Sequence, residues 1–320
     1  RFASAWMLAL PLLAQAQPGA WPSQPLTAVV PFSAGGSVDV AARLVMPRLA
    51  ERLGQPVVVE NTVGASGTIA VQRVIKAKAD GYTLLFGVAS PVTVAPLVSP
   101  GRFKYDGLKE LLPVVPVAAS AFVLVGRPDL PAANAAELVK LVRSQPGKFN
   151  FGTDGVGTSL HVTAEMLKQK AQLDMVHVPY KSGPQVLTEL AGGQIDLAVL
   201  PVALAQGMVR EGKVKGYGVT SRQRAATLPD TPSLSETAEF AGLDVLAWQG
   251  LLLPAGTDAA IAARLAREAA AVLAEPDTQR RLLEAGFAPM QMTQAQFTDY
   301  LAREKKDLAA TIAAAHITVD

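Results

Sequence analysis

The sequence contains no cysteine. That removes disulfides, thiolate nucleophiles and every cysteine-based metal site. Histidine is scarce: His161, His177 and His316 are the three, and they show no metal-ligand spacing. Charge is thin and balanced, with 29 basic and 27 acidic residues for a net +2. No basic block stands out, which argues against nucleic acid as a partner. There is no G-x-S-x-G nucleophile elbow. Gly155-Val156-Gly157 lacks the third glycine of a dinucleotide fingerprint. Tyr180-Lys181 reads as a solvated loop with an amphipathic ring rather than a catalytic base pair. These absences disfavour an enzyme and imply neither a metal nor a cofactor. Beyond the first residues, no run is long and apolar enough for a membrane-spanning helix.

What is present is a globular composition, half of it apolar, in a chain of 320 residues. A single core rarely grows past ~250–300 residues, so two domains are expected. Arg1 precedes a mostly apolar Phe2–Leu13, and Ala14-Gln15-Ala16 reads as an A-x-A cleavage site. Residues 1–16 are therefore read as a secretory signal peptide lacking its first residues, with a periplasmic product that is not embedded in the membrane.

The most informative stretch is Val29–Arg43. An apolar strand ends at Phe32. A small-residue loop follows (Ser33, Ala34, Gly35, Gly36), then a helical pattern with apolar Val38, Ala41, Ala42, Val45, Leu49 and Leu53. Pro47 falls inside it and should kink the helix or cost a hydrogen bond. Without bulky side chains the loop admits a ligand close to the backbone, and a helix start offers free N–H groups and a positive dipole end. Ser37 is a plausible N-cap. Anion capture, carboxylate before phosphate, is one reading. The plainer one is a glycine turn with Asp39 complementing the dipole.

Strand, glycine loop and helix then alternate with short connections, which argues for mostly parallel sheets with helices on both faces. Leu112–Val125 reads as extended, interrupted at Pro113, Pro116 and Ser120. The loop Gly152–Ser159 repeats the opening design, and His161 lies one turn into the helix after it. Two such loops, one per domain, are expected to face each other across a cleft. Each would offer backbone N–H groups and hydroxyls to one end of a ligand. The expected division is residues 22–120 and 246–320 for domain 1, with 121–245 inserted as domain 2 and two crossings at a hinge.

Several segments, in order and spacing, carry a family resemblance: Val30–Asp39 with Ala42-Arg43, Arg52–Asn61, Asp80–Leu85, Gly155–His161, His177–Lys181, Gly192–Gln194, Val219–Ser221 and Pro254–Thr257. The chain resembles the periplasmic solute-binding proteins of tripartite tricarboxylate transporters, the Bug family, over nearly all of residues 17–320. The resemblance implies a two-lobed α/β clamp of the periplasmic-binding-protein type, monomeric, that hands carboxylated solutes to membrane transporter subunits. It implies ligand contacts from Ser33, Ala34, Gly35, Gly36 and Asp39, and from Thr153, Gly157, Thr158, Ser159 and His161, with Ser66 and Ser90 added from loop position. Two alternatives stay open: a sensor presenting the loaded clamp to a signalling partner, and an enzyme acting on a small acid. Leu200 stands where relatives often carry an acid, so the ligand is expected to need no ammonium group. Asp154 and Asp196 are the residues able to reverse that expectation.

Overall fold

The computed structural model describes residues 21–314. The signal peptide read over residues 1–16 lies outside them. The chain opens with β1 (Leu26–Val30), α1 (Ser37–Leu53), β2 (Val57–Asn61), α2 (Thr68–Ile75) and β3 (Thr83–Val88). In α1 the apolar positions at helical spacing are all buried. Pro47 sits on its exposed side, and the helix continues over 17 residues. The lost N–H there falls where water can satisfy the freed carbonyl. After β3 the chain winds straight into a π turn at Ser90–Val94, then α3 (Ala95–Val98) and α4 (Gly107–Glu110). Pro91 sits in the first turn of the π segment, where no intrahelical donor is required, and Pro96 follows in the same unbroken helical run.

β4 (Leu111–Gly126) is a single strand of 16 residues. Its register shifts between Pro113 and Val115 and again between Pro116 and Ala118. Proline cannot donate to the ladder, so each one is absorbed by an irregularity instead of ending the strand. The chain then runs through α5 (Ala135–Arg143), β5 (Phe149–Thr153), α6 (Ser159–Lys170), β6 (Met175–Pro179), α7 (Gly183–Ala191), β7 (Leu197–Pro201), α8 (Val202–Arg210) and β8 (Lys215–Val219). It finishes with β9 (Leu246–Pro254), α9 (Ala259–Ala274), α10 (Pro276–Glu284), β10 (Ala288–Pro289) and α11 (Gln294–Ala314).

β4 joins two halves. Ala121 still pairs with Leu246 of β9, whereas Phe122 pairs with Pro201 of β7. On one side of that step the strand order is β2-β1-β3-β9-β4-β10; on the other it is β8-β4-β7-β5-β6. The β1–β3 and β5–β7 sets pair in parallel, as βαβ units must, while every pairing of β4 and β9 is antiparallel. The second lobe has one apolar core, containing Phe151, Leu197, Tyr217 and Phe240. The first lobe has a core on each face of its sheet. α11 lays Phe297, Leu301 and Ile312 into one of them, beside Trp248 and Val162 of α6, so this last helix touches both lobes.

Candidate functional site

A cavity, part of it open to solvent, lies between the lobes. It sits beyond the carboxyl ends of β1, β3, β5 and β7, where open α/β sheets bind ligands. The first lobe contributes Phe32, Ser33, Gly36, Ser37, Val38, Ser90 and Gln249; the second contributes Phe122, Asp154, Ser159, Leu160, Pro184 and Pro201. No lysine or arginine occurs among the described residues that line it.

The start of α1 faces this space. Its cap is Gly36, in extended conformation, and no side chain caps the helix. Ser37, expected as the N-cap, is instead the first helical residue. The reason lies two residues on. Asp39 Oδ2 accepts the Gly35 N–H at 2.9 Å and closes the loop from inside the first turn. Gly35 itself sits at φ +76°, a conformation that suits glycine. Asp39 is 3% exposed and is also held by Arg43 Nε at 3.0 Å and Asn61 Nδ2 at 3.0 Å. Burial alone would raise its pKa, but the bonds from Arg43, Gly35 and Asn61 outweigh burial and hold the carboxyl below its ordinary value. Asp39 thus braces the loop, and Arg43 balances its charge. The first-turn N–H groups of Ser37 and Val38 have no helical carbonyl to reach, and both residues line the cavity.

The loop before α6 is built differently. Gly157 N–H donates to His161 Nδ1 at 3.2 Å, His161 N–H to Thr158 Oγ1 at 3.3 Å, and Ser159 N–H to Ser90 Oγ of the first lobe at 3.2 Å. The Thr158 hydroxyl donates to Gly155 O at 3.0 Å. Behind the loop, His161 stacks on His177 with ring centres 4.1 Å apart, and His177 Nε2 lies 2.6 Å from Thr153 Oγ1. Burial lowers the His161 pKa and pushes His177 down to about 4, the latter helped by His161 and Lys168. Both rings are therefore neutral near pH 7 and supply no cation to an anionic ligand.

Three polar atoms around the cavity are buried without a hydrogen-bond partner in the chain: Asp154 Oδ1, Ser159 Oγ and Gln249 Oε1. Burial pushes the Asp154 carboxyl up to about 6, with the Thr158 side chain beside it opposing the rise. Ser66, which is not among the lining residues, donates its hydroxyl to Val156 O at 2.7 Å and clasps the lobes together.

Of the residues singled out from sequence, Ser33, Gly36, Ser90 and Ser159 line the cavity. Ala34 and Gly35 are exposed on the outside of their loop, and Asp39, Thr153, Gly157, Thr158 and His161 are buried within the two loops as their internal bracing. Leu200 is fully buried in the second lobe's core, so it says nothing about the far end of a ligand; its neighbour Pro201 lines the cavity. Asp196 is occupied by Arg127 Nε at 2.9 Å and by the Asn150 N–H at 3.0 Å. Gln249 was not anticipated. Its signal was available: it is the one amide in the otherwise apolar run Leu246–Pro254.

The family model for the tripartite tricarboxylate transporter family receptor matches residues 41–316. The protein BugT of Bordetella pertussis is 30% identical over 297 residues, covering 91% of this chain and 89% of its own. Among solved structures, R. palustris Rpa4515 with adipate superposes with a TM-score of 0.89 at 29% identity, covering 93% of this chain and 99% of its own. MatC from Rhodopseudomonas palustris with bound malate gives 0.85 at 30% identity, with 91% and 100% covered. These neighbours share the two-lobed, periplasmic-binding-protein-like α/β architecture. The chain belongs to the tripartite tricarboxylate transporter receptor family, the family of the Bug proteins.

Proposed function

We propose that this protein is a periplasmic solute-binding protein that captures a small carboxylate and hands it, as a monomer, to the membrane subunits of a tripartite tricarboxylate-type transporter. The observation that carries the reading is the uncapped first turn of α1, aimed into a cavity between two lobes. Neutral N–H donors can hold a carboxylate through charge-assisted hydrogen bonds without an arginine. Relatives solved with adipate and malate support a carboxylate as the cargo. No helix among the described residues is long and apolar enough to cross a membrane, in keeping with a receptor that meets its transporter from outside. Binding without catalysis fits a cavity whose one lining serine of the second lobe, Ser159, has no histidine bonded to its hydroxyl. Parting the lobe contacts at Ser66–Val156 and Ser90–Ser159 widens the cavity's opening, and hinge motion of this kind is the proposed loading step. Small-angle scattering should show a smaller radius of gyration with a bound carboxylate than after its removal, and the solute should be recovered chemically unchanged. Identical scattering curves, or turnover of the solute, would contradict the reading.

A further inference from the structure

The cavity is electrically lopsided. On the first-lobe side the α1 N-terminus presents uncapped donors and the positive end of a helix dipole. On the second-lobe side two of the three equivalent first-turn donors of α6, the Ser159 and His161 N–H groups, are already bonded within the protein, and the polar side chains lining the cavity there are those of Asp154 and Ser159. Asp154 has one oxygen buried with no partner, and no lysine or arginine lines the space around it among the described residues. A carboxylate oxygen removed from water in this way carries a heavy desolvation cost unless a cation or a strong donor meets it. Gln249, 2% exposed and also unpartnered at Oε1, is a second acceptor among the residues lining the same space.

We infer that the solute carries a protonated amine as well as its carboxylate, and that Asp154 is the counter-ion that selects it. This inference rests on the carboxylate reading above. The carboxylate sits at the start of α1. The ammonium lies across the cavity at Asp154, with the Gln249 amide oxygen as a second acceptor on the same lining. A plain dicarboxylate with a second acid group at that end meets a like charge, so the same residue that attracts the amino form repels its unsubstituted analogue. Sequence reasoning pointed the other way because it placed Leu200 at the ligand's far end, and Leu200 is in the core.

Calorimetry with three matched pairs tests this at a neutral to slightly basic pH: succinate and aspartate, glutarate and glutamate, adipate and 2-aminoadipate. The wild-type protein should prefer the amino member of the best-fitting pair by about tenfold or more, and Asp154→Asn should erase that preference. The substitution keeps size and shape, and the wild-type preference stands as a test even if the variant folds poorly. Equal or tighter binding of the unsubstituted acids, or an unchanged preference in a folded Asp154→Asn protein, overturns the assignment of Asp154 and leaves carboxylate capture standing. Failure of the wild-type protein to bind any of the six overturns both.

Discussion

The loop at Phe32–Ser37 is tied down from within by Asp39, whose carboxylate takes one N–H and is itself neutralised by Arg43. The first turn of α1 is left open to the cavity as a result. The loop at Gly152–Ser159 is tied down by Thr158, His161 and, across the cleft, Ser90, and those ties use up the N–H groups of Gly157, Ser159 and His161. The first loop therefore keeps more of its helix-start donors free than the second, where the Leu160 N–H is the one first-turn donor of α6 left over among the described residues. The comparison teaches that a glycine-rich loop before a helix is an anion site only where the protein leaves its donors unspent.

The largest effect should come from substituting Gly157, at φ +75° in the second loop, and Gly35 in the first loop is its control. A Cβ at Gly157 would stand 3.0 Å from Val98 Cγ2 of the first lobe, so Gly157→Val wedges the closed contact as well as straining the backbone. Affinity for the carboxylate should fall by about a hundredfold, the order of the ~2–3 kcal/mol that overpacking and backbone strain cost, with the circular dichroism spectrum retained. A Cβ at Gly35 meets nothing within 4 Å, and the residue is exposed. Gly35→Val should cost stability through its backbone conformation and weaken binding only a few-fold. Equal losses from both would mean the loops are equivalent after all.

A smaller and more pointed effect separates spent from unspent donors. Proline is tolerated at the first position of a helix, and Gly36 before it is already extended at φ −73°, ψ 164°. Ser37→Pro therefore removes a donor that faces the cavity while leaving α1 intact. The loss should be about 1.5–3 kcal/mol of carboxylate affinity by calorimetry, the worth of one hydrogen bond to a charged group. Ser159→Pro removes a donor already bonded to Ser90, so it should loosen the lobe contact in scattering and change intrinsic carboxylate recognition less.

The smallest effect is on pH. The second loop leans on a neutral His177, whose pKa is pushed down to about 4 from an ordinary 6.5. Between those values the unfolded chain binds more protons than the fold, so this contribution is lost as pH falls from 6.5 toward 4. The first loop leans on Asp39, whose lowered pKa keeps its contribution in place until pH drops below the ordinary carboxylate value of 3.8. Acid should thus loosen the second loop first. Asp154 and Glu304, raised by burial to about 6 and about 7, drive stability the opposite way over much of the same range. The readout is therefore the difference between proteins: His177→Gln should lose less thermal stability than wild type on going from pH 6.5 to 4. Parallel curves would remove His177 from the account.

Much of the architecture was legible because the chain alternates apolar strands, glycine loops and amphipathic helices at regular spacing. β4 was harder to read because its prolines look like breaks, and only pairing with β9 shows them absorbed as register shifts. Both loops could be located from their glycines, and Ser33, Gly36, Ser90 and Ser159 do reach the cavity. Which donors remain free was not legible. It depends on partners far along the chain: Asn61 for Asp39, Ser90 for Ser159, His177 for Thr153. The far end of the site turned on the pleat of β7, where a one-residue step puts Leu200 in the core and Pro201 on the cavity.

The most direct test is a crystal structure of the protein with a bound carboxylate solute. The carboxylate oxygens should lie about 3 Å from the backbone nitrogens of Ser37 and Val38. A carboxylate found instead against the start of α6 beside Asp154 and Ser159, with the first turn of α1 untouched, would contradict the account.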